Sequence, residues 1–537
     1  MSHSPHPHQP AEAAGAGPTL DADPQREEEA GRKRELLGAA GTAGLKPDEK
    51  RRPDGKVLLT EDEAESALAF ALPEWRKWSI LVLILCIQTS MNSNASMYGF
   101  AVDGLAGKYA VPASRARLGQ FLFLFAYGFG CEFWAPWSEE LGRWPTQQAS
   151  LFLVNLWQIL SALSPGIGGV LVSRVLSGLS TAGGSVTLGV IADMYHPEDT
   201  GFQYAVAFVI LSSVGGAPIG AVIGGFVGQY RPGEWIFWTL MIMGGIVQAL
   251  HFFLLPETNT FILMDREARR RRENGVEVYG PNEVKKPRFS GREILKVWWR
   301  PFLMFLTEPI VVWLSLLSGF ADMLVFIFLE AFTPNFRQYG FETYQIGLAF
   351  LASIVAYTIS YLTYLPVIWH HNKTRKIDPD RLSPESRLGG SSSLHWIAPI
   401  IFAAVIGIAN YGVYKSSIDY MIAAYGPYAA SATGGNDLAR DVLAGLAALY
   451  AHPLYENIGD ETHHLIYPST ILACLGVIVI IPIYIFYMKG EKIRLKSKFA
   501  QELEIARQER LAKRRRASVL GSTAEKEKQE ATYVENV

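Results

Sequence analysis

Cysteine is almost missing. Three stand in 537 residues, and Cys86, Cys131 and Cys474 each lie in an apolar stretch, which excludes a disulfide scaffold. Charge is thin as well: 19% of residues are charged, against roughly 25% in an ordinary soluble domain. Neither sign is in excess. Lys plus Arg is 49 and Asp plus Glu is 51, a formal net charge of -2, so the strongly basic face that nucleic-acid binding requires is lacking. No Walker A sequence occurs, which disfavours ATP-driven transport. The histidine pairs 370–371 and 463–464 have no zinc-ligand spacing, and no nucleophile–base set stands out. The sequence therefore predicts no enzyme, no cofactor, no metal and no nucleic-acid partner.

What is abundant is apolar. Hydrophobic residues make up 49% and aromatics 12%, and a mean hydropathy of +0.13 averages polar tails with very apolar segments. A membrane span needs about 20 apolar residues. Such stretches occur at 78–100, 118–137, 146–164, 168–192, 203–228, 235–255, 302–330, 346–369, 395–424 and 466–488. An eleventh, 429–450, carries Asp437, Arg440 and Asp441. Each charge at a helix centre costs about 2.5–3.5 kcal/mol on the insertion scale, so this span needs help from neighbouring helices. The expected fold is all-α: a polytopic membrane protein with two pseudo-symmetric helical bundles, six spans plus five.

Five regions follow from composition. Residues 1–73 hold 14 acidic and 9 basic residues without a long apolar run and read as a disordered tail. Residues 74–255 form the first bundle. Residues 256–300, with 11 Lys/Arg and 7 Asp/Glu including the run Arg269–Arg272, form a charged central loop. Residues 301–488 form the second bundle, and 489–537 a basic tail. The positive-inside bias places both tails and the central loop in the cytoplasm. It also places 370–394 there, with Lys373, Arg375, Lys376, Arg381 and Arg387. Three candidate spans then separate two cytoplasmic segments, where an even number is required.

Several motifs in order resemble the major facilitator superfamily, most closely its fungal twelve-span drug:proton antiporters. APWSEELGRWP (135–145) resembles the family's loop signature, with Glu139, Gly142 and Arg143 at matching positions. LVSRVLSGL (171–179) supplies Arg174 and Gly178. VGGAPIGAVIGGF (214–226) is similar to the antiporter glycine motif at Gly216, Gly220, Gly224 and Gly225, with Ala217 and Ala221 where the family often has proline. PETNTFIL (256–263), FADMLVFIFLEAF (320–332), YGFETYQIGLAFL (339–351), HWIAPIIF (395–402) and YAASATGGNDLAR (428–440) continue the resemblance through the second half. It implies a twelve-span fold, yet the ninth span is absent: RLGGSSSLHW connects its neighbours directly, which agrees with the parity conflict. No helix is expected between Leu388 and His395.

Candidate site residues are the polar groups inside apolar spans. Glu132, without a basic neighbour in sequence, reads as a proton carrier, as the anionic pole for a cation, or as a structural hydrogen-bond acceptor. Asp322 is the stronger site candidate of span seven. Glu330 lies eight residues on, about 80° round the helix, and reads more as a mouth or interface residue. Arg174 either couples proton and substrate binding or pairs with a carboxylate. Asn92, Asn94, Asn436 and Arg440 either line the cavity or hold helices together. Glu139, Gly142 and Arg143 read as a cytoplasmic gate, and Gly216, Gly220, Gly224 and Gly225 as a hinge and packing stripe. The resemblance implies a monomeric plasma-membrane carrier that exports small organic cations, drugs or metabolites against a proton gradient. A proton-coupled uptake symporter and a non-transporting receptor or inactive paralogue are the alternatives.

Overall fold

The structure, a computed structural model, describes residues 57–494 apart from 182, 197–198, 285–290, 338–339, 378–398, 426–427 and 459–465, together with Ser497. The described residues are overwhelmingly helical, with a single isolated bridge between Leu58 and Tyr279. The helices are α1 (Glu74–Gly99), α2 (Ala113–Glu140), α3 (Arg143–Leu163), α4 (Ile167–Ser180), α5 (Gly183–Met194), α6 (Thr200–Tyr230), α7 (Trp235–Leu254), α8 (Thr260–Glu273), α9 (Gly291–Thr307), α10 (Pro309–Arg337), α11 (Thr343–Ala349), α12 (Leu351–Ile377), α13 (Pro399–Tyr425), α14 (Ala429–Asn457) and α15 (Ile466–Arg494). Six of the described helices are long and apolar enough to cross a bilayer.

Two predicted spans are interrupted. The fourth predicted span is two helices, α4 and α5, and the seventh is α9 followed by α10, parted at Glu308 ahead of Pro309, whose ring lacks the N–H a continuous helix would use. Between α2 and α3 the chain reverses through Gly142 at φ +107°, a conformation that favours glycine.

Two groups of helices emerge from the contacts. In the first, α1 lies along α6, α2 along α4 and α3 along α7; in the second, α10 lies along α14 and α12 along α13. The groups meet where α2 packs on α14 and where α6 packs on α11 and α12. Small residues set the closeness of these crossings. A methyl added to Gly216 would come 2.8 Å from the Asn92 Cβ, and one on Gly224 would lie 3.2 Å from the Met97 Cα, so this stripe of α6 rests directly on α1. Gly225 faces the other way and meets Gly347 of α11 backbone to backbone.

Helix direction bears on the parity conflict. Ser360 Oγ donates to the Ile408 carbonyl at 3.4 Å, and the Tyr364 and Ser416 hydroxyls are 2.8 Å apart. The pairing advances along both helices together, so α12 and α13 run parallel, although they are consecutive among the described helices. The expectation of no helix between Leu388 and His395 concerns residues outside the described ones.

The unstructured tail was expected to reach residue 73; the stretch from Val57 is folded instead. Leu59, Ala64 and Leu68 are buried with Met264, Ala268 and Val278 of the central loop. Leu59 N–H donates to the Tyr279 carbonyl at 3.0 Å and Tyr279 N–H to the Val57 carbonyl at 2.9 Å. The acidic composition hid this small apolar face. Beside it, Arg272 grips Glu283 through two bonds of 2.7 and 2.8 Å, Arg269 adds one of 3.0 Å, and Gly280 N–H one of 3.2 Å. These donors, Arg272 first, hold the Glu283 carboxyl down to about 2 from its ordinary 4.5.

Candidate functional site

A polar cavity lies between the two groups of helices. The first group contributes Asn92, Tyr127, Cys131, Ser213 and Ala217, and the second Asp322, Tyr357, Tyr414, Asp437, Arg440 and Asp441. Its empty volume is about 550 Å³, the part open to solvent included. Helix register explains the acidic wall. Asp437, Arg440 and Asp441 fall at i, i+3 and i+4 on α14, so one face of that helix presents all three.

The guanidinium of Arg440 is the hub. Nη2 donates to Asp322 Oδ1 at 3.0 Å, Nη1 lies 3.6 Å from Asp437 Oδ1, and the group sits 3.7 Å over the Tyr414 ring. Tyr414 OH donates to Asp437 Oδ1 at 3.0 Å. Asn410 Nδ2 reaches both Asp322 Oδ1 and Tyr357 OH at 3.5 Å. Arg440 Nε has no hydrogen-bond partner among the described residues. Three carboxylates thus face one guanidinium in the cavity wall. This is how α14 keeps its charges within an apolar bundle: Arg440 and Asp322 neutralise each other across two helices.

Of the residues singled out from sequence, Asn92, Asp322 and Arg440 line the cavity. The others take different places. Glu132 is buried at the α2–α14 crossing, its carboxyl against the backbone of Gly434, and Oε1 has no hydrogen-bond partner among the described residues. Arg174 has no carboxylate partner among the described residues. It is wholly buried, donates to the Gly119 and Asn94 carbonyls at 3.2 and 2.9 Å, and lies 4.6 and 4.1 Å from the Tyr98 and Phe123 rings. Aromatic faces and carbonyl oxygens supply the negative potential instead. Asn94 belongs to this cluster, since its side-chain oxygen accepts from Gln158. Asn436 is fully buried and outside the cavity lining. Glu330 pairs with Arg117 at 3.4 Å, bridging α10 and α2 well away from Asp322.

The 135–145 motif assembles around Glu257. Its carboxylate accepts from the N–H groups of Arg143 at 2.9 Å, Trp144 at 3.3 Å, Thr258 at 3.0 Å and Asn259 at 2.9 Å. The Arg143 side chain pairs with Asp193 at 2.9 Å and donates to Ser138 Oγ at 2.7 Å. Glu139 contributes its carbonyl, which accepts from Asn259 Nδ2 at 3.3 Å, and Arg143 pairs with Asp193 in its stead. The partners come from the first group of helices and from the opening residues of the central loop, Glu257, Thr258 and Asn259. The motifs at 135–145 and 256–263, far apart in sequence, therefore form one cluster.

Asp193, Asp441, Tyr357, Tyr414 and Asn410 had no place among the sequence candidates. For Asp441 a signal existed, since the NDLARD string puts acids four apart around an arginine. Asp193 ends a helix and looks like an ordinary surface acid until the fold brings Arg143 to it.

Comparison with known proteins converges on one family. The profile of the Major Facilitator Superfamily matches residues 82–448. An uncharacterised transporter of Schizosaccharomyces pombe is 28% identical over 461 residues, covering 80% of this chain and 83% of its own. The ascochitine biosynthesis cluster MFS transporter of Didymella fabae is 27% identical over 482 residues, covering 85% and 92%. Among solved structures, the proton:xylose symporter XylE aligns with a TM-score of 0.51 at 14% identity over 76% of this chain and 95% of that one, which shows the fold.

Proposed function

The chain belongs to the major facilitator superfamily, a family of transporters and not of enzymes, and from that membership and its acid-rich cavity we propose a proton-coupled exporter of small organic cations, drugs or metabolites. It is a multi-pass membrane transporter; export, proton coupling and a plasma-membrane location are the reading proposed here. The observation that carries it is the charge count of the cavity, three carboxylates to one guanidinium. Two negative charges lack a fixed cationic partner, and in a low-dielectric interior such charges are met by a proton or a cationic ligand. Exchange of one for the other is antiport. Asp322 is the natural switch because it shares Arg440 with Asp437. Glu132, at the crossing of the two groups, is the second proton candidate. Kinship with a carrier named for a biosynthesis cluster supports small metabolites as cargo.

Movement would be a rocking of residues 74–255 against 301–488 in a monomer, with the cavity exposed to each side in turn. Arg143 would stabilise the cytoplasmic end of the first group through Asp193 and Glu257, with Gly142 supplying the turn. The test is purified protein in liposomes with an acidic lumen, offered a fluorescent organic cation outside. Accumulation that needs the pH gradient and is lost in Asp322→Asn supports exchange. Accumulation only when the gradient is reversed identifies a symporter, and indifference to either gradient overturns proton coupling.

A further inference from the structure

The three carboxylates of the cavity are not equivalent. Asp322 accepts from Arg440 Nη2 at 3.0 Å and is reached by Asn410 Nδ2 at 3.5 Å. Asp437 accepts from Tyr414 OH at 3.0 Å and lies 3.6 Å from Arg440 Nη1. Asp441 makes no hydrogen bond or ion pair with any described residue. Helix register accounts for the difference. At about 100° per residue, Arg440 stands roughly 60° round α14 from Asp437 and roughly 100° from Asp441, and its guanidinium is engaged with Asp437 and Asp322. Across the cavity, α2 presents Leu124, Tyr127 and Cys131 at i, i+3 and i+7. Tyr127 is only 6% exposed, and its hydroxyl also has no hydrogen-bond partner among the described residues. A buried hydroxyl is costly until something bonds it. The two walls come close because residue 128 is glycine. A methyl there would lie 3.3 Å from both the Asp441 Cβ and the Leu438 carbonyl oxygen. An unpartnered carboxylate and an unpartnered phenol thus line one cavity, one from each group of helices.

We propose that Asp441 and Tyr127 form the seat for the cargo's cationic nitrogen, and that the cargo is a protonated primary or secondary amine on an apolar body. The ammonium donates one N–H to the Asp441 carboxylate and a second to the Tyr127 oxygen, while the body lies against Leu124, Val325 and Phe326, which line the same cavity. A quaternary ammonium has the charge but no N–H to give, so it fills the seat less well. The inference rests on the reading of the chain as a cation exporter and divides the work within that site. Asp322 and Asp437 hold Arg440, and Asp441 is left for the cargo. Because Tyr127 belongs to the first group of helices and Asp441 to the second, the bound amine ties the two groups together. The seat is complete only when both walls face the same nitrogen, so occupancy bears directly on the rocking of one group against the other.

The test is equilibrium binding to full-length protein in nanodiscs at neutral pH. The probes are dansylcadaverine, a fluorescent primary alkylamine, its trimethylammonium derivative and its uncharged N-acetyl derivative. A charge-assisted hydrogen bond lost from a water-poor site costs roughly tenfold to 100-fold in affinity, and a neutral one roughly threefold to tenfold. Asp441→Asn should weaken the amine by the larger factor and leave the N-acetyl derivative unchanged, and Asp441→Glu should restore most of the amine's affinity. Tyr127→Phe should weaken the amine by the smaller factor and leave the trimethylammonium derivative unaffected. Both Asp441→Asn and Tyr127→Phe should match the parent in unfolding by dodecyl sulfate, since neither group has a protein partner to lose. If the parent exchanges the amine for protons in liposomes and Asp441→Asn binds it as tightly, the seat is overturned and the exporter reading stands. If the parent neither binds nor moves the amine, both are overturned. Equal losses for the amine and its N-acetyl derivative, or a fall in stability, assign Asp441 a structural role and overturn the proposal. So does a trimethylammonium derivative that matches the amine in the parent and loses as much in Tyr127→Phe.

Discussion

Removing Arg440 and removing Asp322 break the same 3.0 Å bond but should not cost the same. Without Arg440, the carboxylates of Asp322, Asp437 and Asp441 stay in the cavity wall with no cation among them. Stripping one partner from a buried pair costs about 3–5 kcal/mol, so Arg440→Gln should lose at least that much. Asp322→Asn leaves Arg440 with Asp437 at 3.6 Å and the Tyr414 ring at 3.7 Å, and asparagine still offers an oxygen. Its loss is that of one charge-assisted hydrogen bond weakened to a neutral one, about 1–2 kcal/mol. The double variant decides the matter. Once Arg440 is gone, Asp322→Asn removes an uncompensated charge and should stabilise, so its sign reverses between backgrounds, with a coupling energy of about 2 kcal/mol or more. The assay is unfolding of purified protein by dodecyl sulfate in mixed micelles, for the parent, both single variants and the double. A similar loss from Asp322→Asn in both backgrounds would refute the hub.

In transport, Asp322→Asn should reduce gradient-driven cation export at least tenfold with expression and localisation intact; unchanged export removes Asp322 from the mechanism. Arg143→Ala and Asp193→Asn should slow turnover alike while sparing ligand affinity, because the two groups serve one contact; equal loss of affinity and turnover counts against a gate. Gly220→Val should cost about 1–3 kcal/mol by overpacking, since even a methyl there would come 2.7 Å from the Ser93 Cα; a neutral result in the dodecyl sulfate titration contradicts the close α1–α6 crossing. Glu283 ionises more readily folded than unfolded, so the stability it lends the central loop is present above the ordinary value of 4.5 and disappears as pH falls toward about 2. Protease protection of 57–72 should fade across that window in the parent and be weak at all pH values in Glu283→Gln.

Helix existence was legible because apolar runs are local: the predicted stretch 203–228 lies within α6, and 235–255 nearly coincides with α7. The interruptions at Glu308 and after Ser180 were not, since apolar residues continue on both sides of each break. For the site, sequence could flag a charge in an apolar helix but not its partner. Asp322 and Arg440 are 118 positions apart, and nothing in a single sequence joins them. The same limit left the partners of Arg174 open. A buried arginine suggests a carboxylate, and only the fold shows rings and carbonyls in its place. The residues 57–72 were missed for the opposite reason: five apolar side chains scattered among acids form a face only against the central loop.

The meeting of Gly225 with Gly347 places a fulcrum off centre. With no side chain between the two backbones, one helix can tilt over the other without unlocking interdigitated side chains. Along α6 the contact lies five residues before Tyr230 and 25 after Thr200, arms of roughly 8 and 37 Å at the helical rise. For a rigid tilt the far end sweeps about five times the distance of the near one. The Gln229–Thr343 bond of 3.1 Å sits on the short arm, and the Asn372–Thr200 bond of 3.2 Å on the long arm. A shift small enough to leave the first bond only stretched is thus enough to part the second altogether.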